Sequence, residues 1–279
     1  MHFNGRKLVI ATMHEKQRVI APIIESKLGV KCILDKTLNT DLFGTFSGDI
    51  ERIDSVIEVL RAKCTQAMKA TKTDLAIASE GSFGCHPFSF FSPANEEWLM
   101  FLDRKNQLEI VEKVISLETN LNGAYVKSEQ ELLAFANKCN FPSHALIIKD
   151  QEKNFSFLQK GICSKNKLIK QFYKCMLTHG FVYVETDMRA LFNPTRMKVI
   201  ERTTQKLLDK IMNYCPVCET PGFGIVNVID GLPCELCNYG TKSTLYHVYS
   251  CQKCDHSNKL IYPTGKIFED PMYCDRCNP

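Results

Sequence analysis

No run of about eighteen apolar residues occurs in this 279-residue chain, so no segment has the length to cross a bilayer as a helix. The start, MHFNGRKLVI, goes straight into a strand-like run. It has neither the long apolar stretch nor the small-residue cleavage site of a secretory signal. Low-complexity tracts are absent, and the only repeated feature is a spaced pair of cysteines. The net charge is small, +4, and by itself is weak support for an anionic partner. With 44% apolar and 24% charged residues, the expectation is an ordinary globular protein of the cytoplasm.

The charge is unevenly spread. Residues 215–279 hold five Lys/Arg and seven Asp/Glu, a net −2, which leaves +6 for the preceding part. Cysteine is unevenly spread too. Eight of the fourteen fall in the last 65 residues as four C-x-x-C pairs: Cys215/Cys218, Cys234/Cys237, Cys251/Cys254 and Cys274/Cys277. A disulfide framework would suit a secreted mini-protein. Thiolate metal sites in a reducing compartment account better for four identical spacings. Each C-x-x-C turn aims two sulfurs at one ion, and two turns complete a tetrahedral shell that suits zinc. Two structural zinc ions are therefore expected, in shells with no open position for catalysis.

Between the first two pairs lies a strand-like run, 224–229, which at about 3.3 Å per residue carries the chain away from the first pair. The run TLYHVYS, 244–250, can bring it back. An interleaved scheme is favoured, the first pair with the third and the second with the fourth; adjacent pairing stays open. A ribbon of net −2 is poorly suited to phosphate contacts, so its role is read as structural or protein-docking. His247 and His256 are read as surface residues.

Upstream, strand and helix patterns alternate. KLVIATM, VKCIL, LAIAS, HALIIKD and GFVYVETD read as strands, and 96–118 as two strands joined near Lys105-Asn106. Helical spacing covers 15–29, where Pro22 marks a kink or a late start, and 55–71, 128–139, about 164–178 and 193–214. Ser55-x-x-Glu58 and Ser128-x-x-Glu131 fit capping boxes, and Asn193-Pro194 is a helix start. Segment 39–54 reads as loop. The pattern predicts an α/β domain over 1–212, a mixed sheet flanked by helices with a possible nucleotide-binding cleft. A zinc-ribbon-like β domain would follow over 213–279.

Polar groups gather where strands of such domains end. These are His14 and Lys16 after the first strand, Glu80 and Ser82 in a Gly-rich loop after LAIAS, and Asp103-Arg104 after WLMFL. Asp187, Arg189, Asn193 and Arg196 follow FVYV. Carboxylates interleaved with Lys/Arg suit Mg²⁺-assisted phosphate chemistry. Bland roles stand beside these: Glu58 closing a cap, Asp103-Arg104 turning a hairpin, and Lys160, Lys165, Lys167, Lys170 and Lys174 forming a solvated helix face. Cys85-His86 has the residue types of a nucleophile and its base, but chain neighbours rarely face each other.

Residues 55–84, SVIEVLRAKCTQAMKATKTDLAIASEGSFG, resemble the central segment of the inosine-triphosphate pyrophosphatase superfamily. That segment is a helix with an acid-Asn-Ala-x-x-Lys-Ala pattern and then a strand ending in a carboxylate loop. Glu58 and Lys63 stand at the acid and Lys positions, with Val59, Leu60 and Cys64 in place of the Asn and the two Ala. Glu80 stands at the loop carboxylate. VIATMHEK is similar to the family's opening Ala-Thr-x-Asn-x-x-Lys, with His14 for Asn and Lys16 one residue early. NPTRMKVI is faintly similar to a late Ser-His-Arg segment, without the Ser-His. The likeness covers about 7–115. It implies a two-lobed cleft in which Glu58 and Glu80 bind Mg²⁺ with help from Asp103. Lys16 and Lys63 would hold a triphosphate, and water would release pyrophosphate. As a whole, with FGTFSG, ASEGSFGCHP, TDMRALFNPTRM and YCDRCNP, the chain resembles more closely a bacterial family known only as a domain of unknown function. The competing expectation is a non-enzymatic module binding nucleic acid or a protein partner through the basic N-terminal part and the ribbon.

Overall fold

The computed structural model describes residues 2–35, 55–86 and 89–279, so the 39–54 loop reading lies outside the described residues. The chain divides into two compact units, Met1–Leu207 and Leu208–Pro279. The first is α/β with a mixed sheet flanked by helices, and the second is a small β unit carrying the cysteine pairs.

In the first unit β1 (Lys7–Ala11), α1 (Gln17–Leu28) and β2 (Lys31–Leu34) form the expected opening. Pro22 neither delays nor interrupts α1. It lies exposed on the sixth residue, where the carbonyl that loses its donor can turn to water. Then come α2 (Val56–Thr71), β3 (Leu75–His86), β4 (Ser89–Asp103) and β5 (Leu108–Ser116). The five strands lie in the order β2-β1-β3-β4-β5. Strands β2, β1 and β3 are parallel, and β3-β4-β5 is an antiparallel meander.

Strand pleating decides which helix meets which residue. Val9, Ala11, Ala76, Ala78 and Met100 pack against Leu60, Cys64, Ala67 and Met68 of α2. The alternate residues, among them Ile77, Ser79, Leu99 and Phe101, therefore face the opposite side, where Phe101 meets Phe3 edge-on at 5.2 Å. Helix α2 starts on a complete capping box: Ser55 accepts from the Glu58 N–H, and the Glu58 carboxylate accepts from the Ser55 N–H at 3.0 Å.

One expectation fails here. The segment Glu80–Gly84 is not a loop, because β3 continues unbroken to His86 and pairs along its length with β4. The long β4 offers a partner for each backbone group, so the glycines stay in the ladder. Cys85 and His86 are consecutive residues at the end of β3, where the pairing with β4 shifts register, and neither lines the cavity described below.

The second sheet of this unit is antiparallel, in the order β6-β9-β7-β8. It contains β6 (Gly123–Val126), β7 (Leu146–Lys149), β8 (Leu158–Ile162) and β9 (Val182–Thr186), with α3 (Glu129–Lys138) and α4 (Lys165–His179) between them. Strands β6 and β8 were not foreseen. Leu146, Ile148, Val182 and Val184 pack with Leu132, Phe135, Leu168 and Phe172 of the two helices. Their neighbours Ile147, Tyr183 and Glu185 consequently point away from the helices. Helix α5 (Pro194–Met212) follows, with Asn193 accepting from the Arg196 N–H at 2.9 Å.

The second unit is built on the antiparallel sheet β10 (Gly224–Asp230), β11 (Thr244–Ser250) and β12 (Ser257–Ile261). Its register sets Gly224 opposite Ser250 and Asp230 opposite Thr244. The chain before β10 is thus brought beside the chain after β11, and the chain after β10 beside the chain before β11.

Candidate functional site

The cysteine pairs fall into two groups, Cys215/Cys218/Cys251/Cys254 and Cys234/Cys237/Cys274/Cys277, which is the interleaved scheme. Sulfur separations are 3.7 Å for Cys215–Cys254 and 3.5 Å for Cys218–Cys251 in the first group, and 3.7 Å for Cys237–Cys274 in the second. Three of the turns share one backbone design. The N–H of Cys215, Cys234 and Cys251 donates to the carbonyl five residues on, at Thr220, Tyr239 and His256. Two of them, 215–219 and 234–238, close with an N–H···O=C bond from the fifth residue to the first at 2.9 Å. That fifth residue, Glu219 or Asn238, sits at a φ of 57° or 56°. Such turns present two sulfurs to one side, and each four-sulfur group fits a tetrahedral metal ion. His247 and His256 belong to neither group; His256 stacks on Phe223 instead.

In the first unit one cavity of about 340 Å³ opens where the parallel pairing of β1 with β3 ends, beside Ser79 and Glu80 in the middle of β3, and meets the helix-free face of the second sheet. Strand β1 lies between β2 and β3, so the connections from this end run to opposite sides of it. That is where open α/β sheets place ligands. Six residues expected at a site line it: His14, Lys16, Lys63, Glu80, Asp187 and Arg189. Others had gone unnoticed: Ser79, Glu152, Tyr183 and Glu185. Lys160, read as part of a helix face, lies instead on β8 and lines the cavity.

Ser79 and Glu80, adjacent on β3, point to opposite faces, and a lysine meets each. Lys63 sits in the apolar stripe of α2, between Leu60 and Ala67, and forms a buried ion pair with Glu80. Lys16, at the start of α1, donates to the Ser79 hydroxyl at 2.8 Å and toward its carbonyl at 3.4 Å. Burial first, then Arg196 and Lys63, drives the Lys16 amine down to about 7. Burial first, then Lys16, Arg196, Arg189 and Lys63, drives His14 down to about 3, so its ring is neutral at neutral pH. The field at this end of the cavity is positive.

At the far wall, buried Asp187 accepts from the Gly161 N–H at 3.0 Å and from Arg189 Nε at 3.0 Å and Nη2 at 2.6 Å. It thereby fixes the Arg189 guanidinium, which also stacks over Phe192 at 4.6 Å. Glu185 pairs with Lys149 at 2.7 Å.

Six expected residues are elsewhere, among them Asn193, which caps α5, and Arg104, which follows β4 and donates its backbone N–H to the Asp74 carbonyl. The Glu58 carboxylate is exposed and engaged in its cap. Asp103 is held by both terminal nitrogens of Arg6 at 2.8 Å and sits opposite Leu75, five residues along β3 from Glu80, or about 16 Å. Ser82 is an exposed strand residue. Arg196 does not line the cavity; it is fully buried against Gly81 and Phe83 of β3, paired with Glu97 and donating to the Met188 carbonyl at 2.7 Å. The Mg²⁺ ligands implied by the resemblance do not meet: Glu58, Glu80 and Asp103 are each committed to a different partner. Among the described residues, the groups of three or more His, Cys, Asp or Glu that can share an ion are the two cysteine sets.

Taken together, this is an α/β protein with a charged cavity and a β appendage bearing two four-cysteine groups that could each hold a metal ion. Residues 63–279 match the family described as domain of unknown function DUF6671, and the chain belongs to that family. No curated protein matches it.

Proposed function

We propose that the first unit is a hydrolase for a phosphorylated, nucleotide-sized substrate, of the nucleoside-triphosphate class that the pyrophosphatase likeness suggested. The second unit is proposed to be a zinc-held module of structural or protein-docking role. The observation that carries the first reading is the convergence of Lys16, Lys63, Lys160 and Arg189 on one cavity beside the carboxyl end of β1, where its parallel pairing with β3 stops. Arg189, held planar by Asp187, offers the forked geometry that grips a phosphate, and Lys160 adds a point charge. Tyr183 supplies an aromatic wall. No step is drawn through Mg²⁺, because the residues meant to hold it do not converge. The four-sulfur shells fit zinc and a reducing compartment, which favours the cytoplasm.

The test is a panel of nucleoside triphosphates, with and without Mg²⁺, scored for released phosphate and pyrophosphate. Arg189→Gln should lower kcat/KM by about 10²-fold, the usual cost of one lost charge-stabilising donor. No release from any nucleotide, together with no thermal shift by any of them, would end this reading.

A second reading draws on α4. Lys165, Lys167, Lys170 and Lys174 are all exposed on it, a basic stripe that suits nucleic acid without any chemistry. Retention of RNA or DNA that falls steeply between low and moderate salt would support it. Salt-independent retention, or none at low salt, would refute it.

A further inference from the structure

We propose that Ser79 is a nucleophile and Lys16 its general base, so that the cavity works through a covalent serine intermediate. Three geometric facts support this. Lys16 Nζ and Ser79 Oγ are 2.8 Å apart, the reach of a proton transfer. Both side chains are buried, and both line the same cavity. The contact is built by the fold: pleating turns Ser79 to the face away from α2, and the chain after β1 brings Lys16 to that face.

A lysine acts as a base only when its amine is neutral, and the surroundings favour that state. Arg196 from α5 and Lys63 from α2 oppose a charge at Lys16, while Glu97 from β4 and Glu80 from β3 favour one. The His14 ring is neutral, and burial outweighs every charged neighbour of Lys16.

The reaction balances with water as its one co-reactant. Ser79 Oγ attacks the electrophilic centre as its proton passes to Lys16 Nζ. The bond to the leaving group breaks, and that group takes the proton from Lys16. A water molecule then gives a proton to the same amine and attacks the serine ester. Ser79 leaves with that proton, so one water is consumed per bond cleaved. The class of electrophile, a phosphate ester or anhydride, rests on the hydrolase reading above; the dyad does not.

A fluorophosphonate probe on the full-length protein tests the dyad without a known substrate. Labelling forms the Oγ–P bond, expels fluoride and passes the serine proton to Lys16. Mass spectrometry should place one adduct on the 79-containing peptide, with a rate that rises as pH passes through about 7. Ser79→Ala should abolish it. Lys16→Arg, which keeps a donor and a charge but cannot take the proton, should slow it by about 10²-fold or more, the usual worth of a general base. Circular dichroism and melting curves confirm that each variant is folded. If Lys16 only anchors Ser79, Lys16→Arg labels like the parent protein, and that result overturns the proposal, as does absence of any adduct at Ser79. Nucleotide turnover that survives Ser79→Ala also overturns the dyad and leaves the hydrolase reading intact. A labelled Ser79 in a protein that neither turns over any nucleotide nor is thermally shifted by one keeps the dyad and ends the phosphate reading.

Discussion

Lys16 and Lys63 reach consecutive residues of one strand from opposite faces of the sheet. Lys16 arrives at Ser79 from the start of α1, and Lys63 arrives at Glu80 from the middle of α2. The two contacts differ in kind. The first pairs a buried amine with a neutral hydroxyl, and the second pairs two buried charges that satisfy each other.

The Lys63–Glu80 pair should therefore behave as a buried ion pair. Glu80→Leu leaves the ammonium without its counter-charge and should destabilise the first unit by about 3–5 kcal/mol. Replacing both, as Lys63→Met with Glu80→Leu, should recover most of that loss, because neither charge is then stranded. Urea unfolding of the three proteins checks this. An unchanged midpoint for Glu80→Leu alone would show that Lys63 is solvated in the fold.

Gly81 lies beneath the Arg196–Glu97 pair, and a methyl group on it would overlap both the Arg196 guanidinium and the Glu97 carboxylate. Gly84, three residues on, has open space around it. Gly81→Ala should cost about 2–4 kcal/mol, through overpacking and a distorted buried pair. Gly84→Ala should be nearly silent. Equal melting temperatures for the two variants would contradict the close approach.

Much of this is legible in the sequence. The β-α-β opening, the Ser55 capping box and the Asn193-Pro194 helix start follow from local chemistry that needs no tertiary context; at Ser128 the cap forms but the box does not, because Glu131 accepts from the Lys127 N–H at 2.7 Å. The cysteine pairing was legible as well, because a strand must be retraced before its ends can share a metal. What was not legible has one physical cause: side-chain direction along a strand depends on the ladder. Glu80 reads as a loop acid until β4 is known to pair with it, and Lys160 reads as a helix residue until β8 exists. The alternation in GFVYVETD did carry a signal. Val182 and Val184 go to the helices, so Tyr183 and Glu185 must face the other way, into the cavity.

Glu58 provides a sharp contrast with Glu80. Its carboxylate accepts from the backbone N–H of Ser55 at 3.0 Å and from the Ser55 hydroxyl at 2.7 Å. Ser55→Ala should cost about 1 kcal/mol of stability, the usual worth of an N-cap. Glu58→Gln should leave any nucleotide hydrolysis, and its dependence on Mg²⁺, unchanged. Loss of a metal requirement in Glu58→Gln, with the fold intact, would restore Glu58 to the site.

The interleaved cysteine groups predict a particular pattern of metal content. Cys218 and Cys251 share one group, whereas Cys237 belongs to the other. Cys218→Ser should remove about half the bound zinc, because one shell loses a ligand. Adding Cys251→Ser should remove no more, whereas adding Cys237→Ser should remove the rest. Metal binding and folding are coupled in such small units, so tryptic digestion of residues 208–279 should quicken in step with zinc loss. If the Cys218/Cys251 double variant loses all its zinc, the pairs are adjacent and not interleaved.

His14 gives a test by pH. Its folded pKa is pushed down to about 3, by burial first and then by Lys16, Arg196, Arg189 and Lys63. In the unfolded chain the ring titrates near its ordinary value of about 6.5. Between those two values the unfolded chain binds a proton that the folded chain refuses. Stability therefore falls as pH drops from about 6.5 toward 3. His14→Gln removes the ring and should flatten that part of the curve, so the variant should lose less melting temperature than the parent between pH 7 and pH 4. Three of the cations pushing on His14, namely Lys16, Arg189 and Lys63, are among those credited with holding an anion. A bound phosphate should offset their charge, raise the His14 pKa and shrink the parent's acid loss. Parallel melting curves for parent and variant would show that the ring takes its proton freely in the fold, and that the positive field attributed to this end of the cavity is already screened by water.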